Sequence, residues 1–133
     1  MEAPAVYNAR EIIQRHQDAI NERDLAKYVD TTIFPFTYQN YNGTTITVQK
    51  AEEYGSKFPA PWETVLAAFP DWIETKHDSV EEMVSGENSA VFKVTARWLT
   101  KDEKAHKPIT AIWITVRKDD KWGLQYRHNM GSI

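Results

Sequence analysis

The chain has 133 residues, of which 41% are hydrophobic, 12% aromatic and 26% charged, a size and composition that fit one globular domain over residues 1–133 and exclude a wholly disordered or collagen-like chain. A formal net charge of -3 lacks the concentrated Lys and Arg excess that phosphate contacts need, which argues against a nucleic-acid binder. The absence of cysteine excludes disulfides, thiolate metal sites and cysteine nucleophiles, and the chain shows neither a basic-then-apolar leader in its opening Met-Glu-Ala-Pro-Ala-Val-Tyr nor an apolar run near the roughly 18 residues of a membrane span, so a soluble, cytoplasmic protein with no membrane contact is expected.

Asn8 followed by Glu11 has the spacing of a capping box, and Ala9, Ile12, Ile13, His16, Ala19 and Ile20 recur at helical period behind it, which predicts a first helix with one apolar face and His16 set into that face. After a polar link from Asn21 to Arg23, Asp24 is a good N-cap for a second helix that buries Leu25, Tyr28 and Val29. Pro35 then discourages helix at Phe34.

Residues Phe36 to Val48 are rich in Thr, Tyr, Val and Ile and are broken by Asn42-Gly43, a dipeptide suited to the positive φ angles of a tight hairpin. Ala51 to Phe58 has helical character, Pro59 and Pro61 interrupt it, and Pro61 suits the first position of a helix over Trp62 to Phe69. Long strands follow over Trp72 to Met83, Ser89 to Thr100, Pro108 to Arg117 and Trp122 to Asn129. Short turns at Ser85-Gly86-Glu87-Asn88 and Lys118-Asp119-Asp120-Lys121 separate some of them, and a longer charged loop from Lys101 to Lys107 separates others. Helices first and a strand meander after them define an α+β domain whose curved antiparallel sheet packs on the N-terminal helices.

Alternation divides the later strands into two faces. Ala90, Phe92, Val94, Ala96 and Trp98 share one face, with Val91, Lys93, Thr95, Arg97 and Leu99 on the other. In the next strand Ile109, Ala111, Trp113 and Thr115 oppose Thr110, Ile112, Ile114 and Val116. Both faces are substantially apolar, so the outer one is expected to be covered by a second copy of the chain, giving a homodimer.

The whole pattern, two helices, a hairpin, a third helix and a long meander, resembles the nuclear transport factor 2-like superfamily, in particular its SnoaL-like and ketosteroid isomerase-like members. Ile12-Ile13-Gln14-Arg15-His16 followed by Asn21 and Asp24-Leu25 is similar to the first two helices of ketosteroid isomerase. Lys121-Trp122-Gly123-Leu124 after two acidic turn residues is similar to the last hairpin of many SnoaL-like proteins. The resemblance implies a cystatin-like topology, α-α-β-β-α-β-β-β-β, and a conical half-barrel whose mouth holds a small molecule in many members. It also supplies a test. Ketosteroid isomerase uses an Asp base, with a Tyr and a protonated Asp holding the enolate oxygen. By similarity His16 stands at the position of that Tyr and Asn40 at the position of the base, while the second carboxyl falls near Ile112 or Trp113. An amide cannot accept a proton near neutral pH, so Asn40 disfavours steroid-type isomerisation.

The expected function is therefore the binding of a small hydrophobic or carboxylate-bearing molecule in the cone. His16 and Asn40 are the polar contacts and Arg97 or Arg127 the fork for a carboxylate. Phe36, Tyr38, Trp62, Trp72, Trp98 and Trp113 are numerous enough to wall a pocket for a flat ligand, although such rings more often fill a core. Each polar candidate has a plainer role: a core histidine for His16, turn geometry for Asn40, a surface ion pair for either arginine. Two other classes compete. One is a cofactor-free isomerase, cyclase or dehydratase in which His16 or His77 moves the proton. Asp78, adjacent along a strand, would face away from His77 and not orient it. The other is an association module with a filled cone. His106 and His128 belong to a charged loop and the chain end. The four His are too widely spaced for a metal site, and the five Gly form no phosphate-cradling or dinucleotide motif, so no cofactor is expected.

Overall fold

A computed structural model describes residues 7–101 and 108–131. The first helix, α1 (Ala9–Glu22), begins as its capping box requires: the Asn8 side chain accepts from the Glu11 N–H at 2.8 Å and the Glu11 carboxylate accepts from the Asn8 N–H at 3.2 Å. Its apolar stripe is buried, and His16 and Gln17 are buried with it. Arg23 closes the helix in the left-handed region at φ 53. Helix α2 (Leu25–Asp30) starts from Asp24, whose side chain accepts from the Lys27 N–H, and it buries Tyr28 completely. The interrupted third helical region resolves into a short 3-10 turn, Ala51–Glu53, and α3 (Pro61–Ala68) with Pro61 at its first turn.

The strands are β1 (Thr32–Asn40), β2 (Thr45–Val48), β3 (Trp72–Ser85), β4 (Ser89–Thr100), β5 (Ile109–Lys118) and β6 (Lys121–Asn129), joined in one sheet of order β2-β1-β6-β5-β4-β3. Neighbours are antiparallel except β1 and β6, which run parallel. The hairpin that opens the sheet strands is thus added beside the last strand of the meander, and that junction departs from a purely antiparallel sheet. The loop expected from Lys101 to Lys107, with His106, falls outside the described residues beyond Lys101.

Of the two faces that alternation gives β4, the one carrying Ala90, Phe92, Val94 and Ala96 is the inner face, each of these residues being at most 8% exposed. These pack with Ile12 and Ile13 of α1, Phe36, Trp113 and Leu124 in a main core, while Ala19, Ile20, Tyr28 and Trp72 form a second core toward α3. Removing such side chains from water is the main stabilising term. Strand β3 changes register at three places, including between His77 and Ser79. An extra residue at such a bulge bends the strand and increases its twist. The bend curls β3 and β4 around the helices, and the resulting concave face, open on one side, positions the site described next.

Candidate functional site

Between the concave face and the helices lies a cavity of about 250 Å³. Strand alternation puts Phe36, Tyr38 and Asn40 of β1 on its wall, with Ala111 and Trp113 of β5 and Arg127 and Asn129 of β6. α3 contributes Pro61, Thr64, Val65 and Ala68, which follow one another at helical spacing. The cavity reaches the surface at Tyr41, which is 67% exposed.

Arg127 is the cation of this wall. Its guanidinium carbon stands 5.1 Å from the centroid of Tyr38, 5.6 Å from Trp113 and 5.8 Å from Phe36. Among the described residues no carboxylate pairs with it. Aromatic faces compensate a guanidinium only partly, by about 0.5–2 kcal/mol. Tyr28 lies alongside: burial pushes its phenol up, and the Arg127 charge pulls the other way. Tyr54 donates to the Tyr28 oxygen across 3.4 Å, and burial likewise keeps the Tyr54 phenol protonated. With Tyr54 donating to it, Tyr28 retains its own O–H to give.

A chain of amides fixes the far side. Asn21 grips the backbone of Thr75 from both ends, its Nδ2 donating to the Thr75 carbonyl and its Oδ1 accepting from the Thr75 N–H, each at 2.9 Å. The Asn21 oxygen also accepts from Gln17 Nε2 at 3.2 Å, which leaves Gln17 Oε1 to accept from His77 Nε2 at 3.0 Å. His77 therefore carries its proton on Nε2, and its Nδ1, buried and without a partner, is the acceptor nitrogen. Burial, the dominant cause, lowers the His77 pKa to about 4; the Asp18 field opposes it, and a smaller pull from the Arg127 charge adds to it, with Asp78 opposing least. The ring meets Trp113 edge-on at 5.2 Å.

The sequence candidates divide accordingly. Tyr38, Asn40, Trp113 and Arg127 come together on the cavity wall, with Phe36, Trp98 and His77. His16 does not reach it. The imidazole is fully buried against Tyr28, Phe36 and Trp113, at 4.3, 6.0 and 5.7 Å between centroids. The Thr31 hydroxyl gives its proton to the Tyr28 carbonyl, so His16 Nδ1, 3.0 Å away, donates to the Thr31 oxygen and Nε2 is left unpartnered. Burial and the Arg127 charge hold its pKa well below the usual imidazole range. His16 thus supports three rings of the wall from behind.

Arg97 also lies away from the cavity. Alternation with Ala96 and Trp98 turns it to the outer face, where its Nε donates to Asp78 at 2.7 Å and Nη2 donates at 2.8 Å. The bulge beside His77 is what brings Asp78 to that position, opposite in face to His77 as alternation predicts. Trp62 is one step off the cavity-facing side of α3 and packs in the second core, as does Trp72, whose indole N–H donates to Thr75. His128 stacks on Tyr126. Gln17, Asn21, Tyr28 and Thr75 were not among the sequence candidates. Gln17 and Asn21 are four residues apart on α1, but only the pairing of that helix with β3 gives the spacing a meaning.

Among the described residues no helix is long and apolar enough to cross a membrane. Nor do three or more metal-ligating side chains gather among them.

No family model matches the chain, and no curated protein matches it. Solved structures do. A chain from Thiobacillus denitrificans, provisionally assigned as a calcium/calmodulin-dependent protein kinase type II association domain, aligns with a TM-score of 0.74 at 15% identity over 96% of this chain and 97% of that one. A nuclear transport factor 2-like protein with a cystatin-like fold from Novosphingobium aromaticivorans aligns with a TM-score of 0.67 at 16% identity, covering 90% of this chain and 77% of that one. A nuclear transport factor 2-like protein of unknown function from Pseudomonas putida gives 0.66 at 14% identity, over 90% and 81%. The chain has a cystatin-like α+β fold, the architecture that the resemblance in its sequence implies.

Proposed function

We propose that the protein binds a small, flat, apolar molecule carrying a carboxylate, with the anion on Arg127 and the Tyr28 hydroxyl and the apolar body against Tyr38 and Trp113. The observation that carries this reading is the Arg127 guanidinium: it stands in an aromatic cavity with no carboxylate partner among the described residues. A planar fork of donors suits a carboxylate bidentately. Size agrees. A dry cavity of about 150 Å³ takes up benzene, so 250 Å³ admits one substituted ring. The test is a thermal-shift titration with benzoate against uncharged benzamide. Benzoate should raise the unfolding midpoint of the wild type and do so far less in Arg127→Gln, because only native-state binding moves the midpoint. Equal shifts in both proteins remove Arg127 from the role.

A second reading, a cofactor-free isomerase, cyclase or dehydratase, is favoured by one observation, the neutral His77 of the cavity wall, whose Nδ1 is a buried acceptor without a partner in the protein. His16 is too far behind the wall for that work. The third reading, an association module with a filled cone, is disfavoured by the open volume. We also infer that a second copy covers the outer face, where Val91, Leu99, Ile112 and Ile114 are only half-buried in one chain.

A further inference from the structure

We propose that the bound molecule donates a hydrogen bond to Nδ1 of His77, so that among small carboxylates the site selects those bearing a hydroxyl or N–H group away from the anion. The inference rests on the carboxylate reading above and adds the chemistry of the opposite end of the ligand. Its support is geometric. Backbone groups of Thr75 have unambiguous donor and acceptor characters, and they orient Asn21; Asn21 orients Gln17, and Gln17 orients His77. Each amide in the series has its oxygen committed, so the proton of His77 is held at Nε2. Nδ1 then has a lone pair and nothing in the protein to share it with.

A buried acceptor left unpaired is costly, and a ligand that completes it gains that amount relative to one that does not. The opposite polarity is excluded by the same series, since an acceptor on the ligand would face a lone pair. Asn40 points the same way: its Oδ1 is also buried without a partner, and it too stands on the cavity wall. The site thus has donors at Arg127 and Tyr28 and acceptors at His77 and Asn40. That division of polarity fits a hydroxylated aromatic acid better than a dicarboxylate or a simple fatty acid.

The test compares benzoate, the ortho-, meta- and para-hydroxybenzoates and the matched methoxybenzoates by calorimetric titration. The best hydroxy isomer should bind about 2- to 10-fold tighter than benzoate, the worth of one neutral hydrogen bond, and its methoxy analogue should show no gain. His77→Gln keeps a polar group near Gln17 but offers no acceptor at the δ position, so the affinity of the best hydroxy isomer relative to benzoate should fall to that of its methoxy analogue. His77→Asn places an amide oxygen where Nδ1 stood and should retain the preference. A preference that is absent in the wild type, or that survives in His77→Gln, overturns the inference while leaving the carboxylate reading in place. No binding of any probe, or binding unaffected by Arg127→Gln, removes both. A long-range proton–nitrogen spectrum of the ligand-free wild type should show His77 as the Nε2–H tautomer; the Nδ1–H tautomer overturns the inference whichever probes bind.

Discussion

Two histidines, one of them on the wall and one buried behind it, make the protein's stability depend on pH. His77 is drawn down to about 4 by burial and by Arg127, and burial holds His16 well below its ordinary range. Both are neutral in the folded chain, whereas the unfolded chain protonates them near 6.5. The unfolded state therefore binds more protons between these values, and stability, complete above pH 6.5, falls as pH drops toward 4. Each histidine contributes up to about 1.4 kcal/mol per pH unit in that window. His77→Gln should flatten the fall in denaturant midpoint between pH 6.5 and 4.5 by up to that slope. An unchanged slope would mean that His77 is already charged in the native protein. Arg127 lowers both groups, so Arg127→Gln should raise the lower edge of this window and leave its upper edge near 6.5.

At the scale of elements, the turn between β5 and β6 is built on Asp119 and Asp120, with φ 54 and 62, the pair of left-handed residues that a two-residue hairpin needs. Just beyond it Gly123 lets β6 approach β1. A Cβ added there would stand 2.6 Å from Cγ1 and 2.9 Å from Cδ1 of Ile33. Gly123→Ala should destabilise the chain by about 1–3 kcal/mol in urea unfolding, and Gly123→Ala with Ile33→Ala should regain part of the loss. If Gly123→Ala alone is neutral, β1 and β6 are less tightly joined than the structure has them.

These elements also mark how far the sequence carries. The capping box at Asn8 and the proline at the start of α3 are local signals, legible because capping and φ restriction act within one turn. The alternation of β4 separated its two faces, because period two survives in an unbulged strand, but with both faces apolar it did not say which of them lines the cavity. The parallel pairing of β1 with β6 had no local signal, since it joins strands separated by most of the chain. The bulge at Asp78 was equally hidden, and with it the identity of the acid that pairs with Arg97. Of the site, Arg127, Tyr38 and Trp113 were legible as residue types suited to a pocket, and Asn40 through the resemblance to ketosteroid isomerase. The tautomer of His77 was not, because it is set by Gln17 and Asn21 across α1 and β3.

For the whole molecule, the helices cover one face of a curved sheet and leave the other half-exposed. The reading of a second copy over that outer face predicts twice the chain mass in sedimentation equilibrium. Ile114→Lys should shift the protein to single chains without altering benzoate binding, since Ile114 is on the face opposite the cavity. A wild type that sediments as one chain at high concentration would contradict the covered face and leave the cavity untouched. Solved structures of the same fold at 14–16% identity agree with the architecture and do not bear on the ligand. The arrangement of Arg127 does. The most direct measurement is a crystal structure of the protein with meta-hydroxybenzoate. The predicted result is its carboxylate on the Arg127 guanidinium at about 2.7–2.9 Å, with the ring between Tyr38 and Trp113. A cavity without the molecule at saturating concentration, or a carboxylate lying away from Arg127, would contradict the account.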